Sequence, residues 1–346
     1  MKKLAYACIA GWCLLSTATL AQNMVSNSTT QHDGIQRLTV REKVPLQGRT
    51  GAILLPPQCD QEGNVYLRFY HAGPPRPPQE PVYKFKKTGE QEAIYSLGSD
   101  PEFQGKGMGI RDFAVGKDGD VHELAISKAG YYIISFGKNG KIKQKTKLAV
   151  AFEPFHFAVF DSGEFLITGE GRGHGTGAPF SIHTAIFDGS GVLRENIELP
   201  EDKPFVEAAQ RGDSRFVEPN YGGNFAVERG QVTRGSDGNV YVVRWTEPAR
   251  IYAIAASGDV VRSFEVKPDW EGRKPDGAYS SNGLLALEYA GTQEEPGHSM
   301  IKVVGLNSGE EQARYDTSRE GGTLSCYTRG RFTFFAGDQL LFAQLR

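Results

Sequence analysis

Residues 236–243, Ser236-Asp237-Gly238-Asn239-Val240-Tyr241-Val242-Val243, decide the fold. Asp-Gly is a tight-turn signal, because glycine enters the left-handed region without steric cost and aspartate hydrogen-bonds its own turn. The Val-Tyr-Val-Val run that follows suits a pleated strand. The same arrangement recurs as DQEGNVYL at Gly63, KDGDVHEL at Gly119, DSGEFLI at Gly163, SNGLLAL at Gly283 and TRGRFTF at Gly330. With Gly238 in its place, successive spacings are 56, 44, 75, 45 and 47 residues. Self-similarity of this kind marks a repeat architecture.

A second glycine turn follows each of the first five after 26, 21, 28, 20 and 26 residues: KKTGE at Gly89, KNGKI at Gly140, GSGVL at Gly191, ASGDV at Gly258 and NSGEE at Gly309. Between the two turns lies an alternating or apolar strand, as in Val82-Tyr83-Lys84-Phe85 and Ile251-Tyr252-Ala253-Ile254. Each unit is therefore four antiparallel strands with two hairpin turns on one edge. Six such sheets around an axis predict an all-β, six-bladed β-propeller. The sixth unit stops after three strands, at Leu340-Leu341-Phe342-Ala343-Gln344-Leu345. Residues 35–46, IQRLTVREKVPL, are a spare strand expected to complete the last blade and close the ring. A seventh blade would have to fit in residues 201–229, a stretch too short for four strands, so six is the expected count.

Composition agrees. The 42 glycines among 346 residues exceed the roughly 7% of average usage, and 20 Phe and 14 Tyr favour short strands over a doubly wound or helical fold. Lys and Arg total 39 against 41 Asp and Glu, with a pI near 6.4, so no basic stripe points to nucleic acid or an anionic membrane. Met1-Lys2-Lys3 followed by an uncharged run to Leu20 reads as an export signal, cleaved between Ala21 and Gln22 after the small residues Thr19 and Ala21. An uncleaved membrane anchor is the competing reading. Trp12 is too large for a lipobox before Cys13. Residues 22–34 form a flexible leader, and residues 35–346 a single propeller domain. No later stretch approaches the ~20 apolar residues of a membrane span. The expectation is a secreted or periplasmic monomer.

The short turns share one face of the predicted ring, and the opposite face carries the long connections. These are residues 71–81 (HAGPPRPPQEP), 169–177 (GEGRGHGTG), 201–229 and 290–298 (AGTQEEPGH). Long loops on a rigid scaffold commonly carry function, although insertions are also tolerated there for no reason but exposure. By register, residues entering each first strand line the mouth on that face: Arg111 and Asp112, His156, Gln231 or Arg234, and Asp276. Converging second-strand ends add Tyr70, His71, Glu170, Arg172, His174, Arg244 and Trp245. Arginine, histidine and carboxylates beside aromatics suit an anionic or sugar-like ligand through charge-assisted hydrogen bonds and stacking. Arg172 and His174 stand out, because a glycine-rich loop does not need them for packing.

The turn pattern resembles the NHL-repeat and gluconolactonase-like six-bladed propellers over nearly all of residues 35–346. That resemblance implies the fold, and a metal-dependent lactonase or lyase as one possible activity. Gluconolactonase-like propellers hold a divalent cation, calcium or zinc, with Glu, Asn and Asp at strand entries. Here Arg111-Asp112 is a faint match without the Asn. Lyase-like relatives use one His from each of three blades, and only His156 stands at such an entry, fewer than a zinc site needs. No G-x-S-x-G elbow, H-E-x-x-H helix or P-loop is present. Asp112 and His156 are the catalytic candidates under this alternative. The main expectation is non-catalytic recognition of a glycan, peptide or protein through Arg111, Glu170, Arg172, His174, Arg244 and Trp245.

Cys8 and Cys13 leave with the signal. Cys59 and Cys326 each precede a repeat glycine by four, at the same site in the first and last units. In an oxidising compartment a disulfide there would tie the chain ends together, worth about 4–5 kcal/mol in the chain-entropy model. Equivalent sites on adjacent inner strands can also exceed the ~7 Å Cα limit, which would leave two buried thiols.

Overall fold

A computed structural model describes residues 35–70, 81–98, 100–103, 109–172, 180–200, 202, 203, 207, 230–269, 273, 275–290, 299–317 and 321–345. The expected signal and leader, and most of the long loops, lie outside the described residues. After β1 (Gln36–Pro45), four sheets follow in chain order. The first holds β2 (Ile53–Cys59), β3 (Val65–Phe69), β4 (Val82–Phe85) and β5 (Gln91–Tyr95); the second β6 (Gly109–Val115), β7 (Val121–Ser127), β8 (Gly130–Phe136) and β9 (Ile142–Lys147). The third holds β10 (Glu153–Val159), β11 (Phe165–Arg172), β12 (Phe180–Phe187) and β13 (Leu193–Asn196); the fourth β14 (Gly230–Arg234), β15 (Val240–Arg244), β16 (Ala249–Ile254) and β17 (Val260–Val266).

The remaining strands are β18 (Gly277–Ser281), β19 (Leu284–Ala290), β20 (Ser299–Gly305), β21 (Glu311–Asp316), β22 (Thr323–Thr328), β23 (Arg331–Ala336) and β24 (Gln339–Leu345). Together with β1 they form one eight-stranded sheet in the order β18-β19-β20-β21-β1-β24-β23-β22. Within it β1 runs antiparallel to β24 from Leu38 opposite Leu345 to Pro45 opposite Gln339. It meets β21 in parallel only at Gln36 and Arg37. The N-terminal strand thus completes the last sheet, as the spare-strand reading expected.

The first strands touch in sequence, β2 to β6 to β10 to β14 to β18 to β22, and β22 returns to β2, so the sheets stand around a common axis as a propeller. Burial falls from inside to outside: β15 is buried throughout, whereas all four residues of β13 are exposed. The hydrophobic clusters are shared by neighbouring sheets, except for one that lies between the two halves of the eight-stranded sheet. Tyr66, Val82 and Tyr95 of the first sheet, for example, meet Phe113, Val121 and Ile134 of the second. Apolar faces buried against one another supply most of the stability.

Inner-strand backbone between neighbouring sheets has no ladder partner, and buried peptide groups need one. Side chains fill the gap around the ring. Gln231 acts as a surrogate peptide, donating to the Ala278 carbonyl and accepting from the Ala278 amide, both at 2.8 Å. Gln58 does the same between β2 and β6, through the Phe113 carbonyl and Val115 amide. The Tyr279 hydroxyl donates to the Leu324 carbonyl at 2.6 Å, and Arg234 reaches Asp161 at 2.5 Å. A Cys59–Cys326 disulfide, with Cα atoms 5.3 Å apart, joins β2 to β22. This distance lies inside the limit that left the bridge open from sequence.

The second glycine turns have a packing reason as well as a conformational one. At Gly191 φ is +84°, and a Cβ would come within 2.1 Å of the Lys147 carbonyl oxygen on the preceding sheet's outer strand. Gly140 sits the same way, 2.3 Å from the Ile94 carbonyl oxygen.

Candidate functional site

At the strand-entry end, β6 and β10 each carry a bulge, between Ile110 and Asp112 and between Pro154 and His156. A bulge re-aims the side chains beside it. Here the pair brings Asp112 and His156 together, with Asp112 Oδ2 3.3 Å from His156 Nδ1. The same oxygen accepts the Phe157 amide at 3.3 Å, and Oδ1 accepts the Phe113 amide at 2.9 Å. Asp112 is thereby buried and fixed, and a carboxylate on Nδ1 sets the tautomer and orientation of the ring. Beside the pair, the Arg111 guanidinium binds the Glu153 carboxylate and lies 5.5 Å from the Phe155 ring centroid. Glu153 is directly opposite Glu170 in the β10–β11 register, a like-charge pairing that a nearby cation relieves.

The other sequence candidates are scattered. Arg244 is buried and ties the fourth sheet to Asp202 at 2.9 Å and to Thr184 at 3.4 Å. Trp245 packs against the cluster between the fourth and fifth strand groups, its buried indole N–H without a hydrogen-bond partner among the described residues. Burial raises the Asp276 carboxyl, with Arg273 opposing. Gln231 serves as the inter-strand clamp. Arg234 is not at the entry mouth: it is the last residue of β14, at the opposite end. Arg172 closes β11, and His71 and His174 lie outside the described residues.

That opposite end, where sequence analysis placed only short turns, holds a cavity of about 280 Å³. Its wall is built where first strands run into their turns, including Asp60, Gln61, Lys117, Arg234, Asn282 and Arg329. Arg234 and Lys117 share Asp161, at 2.5 and 3.4 Å. Apart from Arg234, these residues drew no notice in the sequence beyond their place in the repeat turns. Sequence offered no signal for Arg329, since Glu62, Thr88 and several serines also precede turn glycines; its positive φ sets it apart only in the structure.

Two buried acids escaped the sequence reading. Glu288 on β19 accepts the Leu324 amide with both oxygens, at 3.0 and 3.2 Å, and the Ser299 hydroxyl at 3.0 Å. Burial pushes its carboxyl up to about 7, with the negative charge of Asp276 adding and the hydrogen bonds opposing. Glu123 on β7 is fully buried, and neither carboxyl oxygen has a hydrogen-bond partner among the described residues. Burial holds it well above the usual carboxylate range against the pull of Arg68.

Among the described residues, no three His, Cys, Asp or Glu side chains are gathered to hold a metal. Nor does any described helix have the length and apolarity to cross a membrane.

No family model and no curated protein matches the chain. Solved structures similar to it include a catalytically inactive virginiamycin B lyase from Staphylococcus aureus with quinupristin, at 16% identity over 92% of this chain and 97% of that one, TM-score 0.47. A putative gluconolactonase follows at 13% over 88% and 92%, TM-score 0.46. The PQQ-bound aldose sugar dehydrogenase from Streptomyces coelicolor stands at 11% over 89% and 98%, TM-score 0.43. A gluconolactonase-like propeller is thus among this chain's structural neighbours, while the propeller arrangement itself rests on the ring of first-strand contacts.

Proposed function

We propose that the protein is an exported six-bladed β-propeller that recognises a glycan, peptide or protein ligand at the strand-entry end. The blade count rests on treating the eight-stranded sheet as two blades joined where Gln36 and Arg37 meet β21. Export rests on the signal-like residues 1–21, and the disulfide agrees with an oxidising compartment. The observation that carries the site is the pair of adjacent bulges that sets Asp112, His156, Arg111 and Glu153 together at the strand-entry end. Glu170, Arg172, His174, Arg244 and Trp245 complete the proposed binding set on neighbouring strand ends and loops.

Catalysis is the second reading, favoured by the same pair. A carboxylate-oriented histidine is the arrangement of a general acid–base group: Nδ1–H donates to Asp112, and Nε2 is left to accept a proton and give it back. No metal-dependent step is assigned. Glycan and peptide arrays probed with the purified chain and with an R111Q/H156Q variant test the binding reading. Bound features that the variant loses support it; features that persist unchanged, or none at all, overturn it. Thermal melts with EDTA and then calcium or zinc test the enzyme reading. A metal held at 100 times its Kd stabilises by about 2.7 kcal/mol, so a clear shift would move the assignment toward a metalloenzyme.

A further inference from the structure

The strand-exit cavity carries charge that the fold does not use. Gln58, Gln231 and Tyr279 spend their polar atoms on neighbouring strands. Ser280 donates to the Arg234 carbonyl, and Ser281 accepts the Arg329 amide. Against Lys117, Arg234 and Arg329 stand Asp161 and Asp60, which leaves one positive charge at the mouth. Lys84, behind Asp60, is itself balanced by Glu92 at 2.7 Å. Arg329 has no carboxylate partner among the described residues.

Its backbone adds an independent observation. Arg329 and Gly330 have φ of +51° and +75°, and the neighbouring turn repeats this with Asn282 and Gly283 at +50° and +76°. Asparagine tolerates the left-handed region; arginine gains nothing there and is strained. A strained cation held at the rim of a polar cavity is more than the turn requires.

We propose that this cavity, separate from the strand-entry site, binds a small polyhydroxylated monocarboxylate. Lys117 and Arg329 take the carboxylate, since a guanidinium suits two parallel hydrogen bonds to it. Asn282, Thr328 and Gln61 take hydroxyls. One net positive charge matches a monoanion rather than a dianion, and about 280 Å³ suits a ligand of single-ring size.

Isothermal titration of the full chain with glucuronate, glucose and inorganic phosphate tests this. Glucuronate is expected to bind with a Kd below about 1 mM and the other two far more weakly. K117Q/R329Q should weaken glucuronate binding at least about tenfold, whereas K87Q, a charge change elsewhere on the surface, should leave it alone. A melt of the ligand-free double variant reports whether it folds; if it does not, R329N, which suits the left-handed backbone, replaces it. The proposal is overturned if glucuronate does not bind, if glucose or phosphate binds as tightly, or if the variants bind as well as the parent.

Discussion

Replacing Glu288 by glutamine should change how stability depends on pH. Glu288 is 3% exposed, and its carboxyl is raised from an ordinary 4.5 to about 7. Below 4.5 both the folded and the unfolded chain hold the proton, and the stabilisation it brings is complete. Between 4.5 and about 7 only the folded chain keeps it, so stability is lost as pH rises through that window. At about 1.4 kcal/mol per tenfold change in proton affinity, the loss comes to about 3 kcal/mol. Glutamine retains an acceptor for the Leu324 amide but does not titrate. The parent alone would not reveal the effect, because His122 works the other way. Burial depresses its imidazole to about 4, so its contribution is lost as pH falls from 6.5 towards that value. The assay is therefore urea unfolding of parent and E288Q side by side from about pH 4 to pH 8. The difference between them should move in favour of the variant by about 3 kcal/mol as pH rises. Parallel curves would refute the assignment of a buried, proton-holding carboxyl to Glu288.

Two further outcomes follow from the closure and the turns. C59S/C326S removes a cross-link between residues 267 apart in sequence, which should cost about 5 kcal/mol and lower Tm by roughly 10 °C in calorimetry. A drop of less than about 2 °C would mean that strand pairing alone holds the ring. Gly191→Ala meets both a positive φ and the Lys147 carbonyl, whereas Gly163→Ala, at φ +95° with nothing within 4 Å of its Cβ, meets only the first. Denaturant titration should show about 1 kcal/mol lost at Gly163 and at least about twice that at Gly191; equal losses would remove the packing argument.

The repeat was legible because a left-handed turn position leaves its mark in composition: Gly63, Gly119 and Gly238 mark turns before any strand is assigned. The closing strand was legible too, since residues 35–46 had strand chemistry and no partner in their own unit. What escaped depends on register and on distant partners. One extra residue in each of β6 and β10 turns Asp112 and His156 toward each other, and a bulge has no fixed signature in sequence. Arg234 was placed at the wrong end because a five-residue strand has no internal marker of where it begins. Glu288 drew no notice as a lone acid in the apolar run LLALEYA, because its main partner, the Leu324 amide, lies 36 residues away. Loop length drew attention to one face, while the cavity is made from turns that look purely structural.

The position of β1 also orders events during synthesis. Gln36–Pro45 leaves the ribosome roughly 300 residues ahead of β24, and at about 5–20 residues per second it waits some tens of seconds for its partner. Throughout that wait both of its edges are open to any other chain. The strand has the composition for it: Arg37, Arg41, Glu42 and Lys43 discourage edge-to-edge pairing, and Pro45 removes a backbone donor at its end. The charges of β1 are thus a form of custody, keeping the first strand made unattached until the last one arrives.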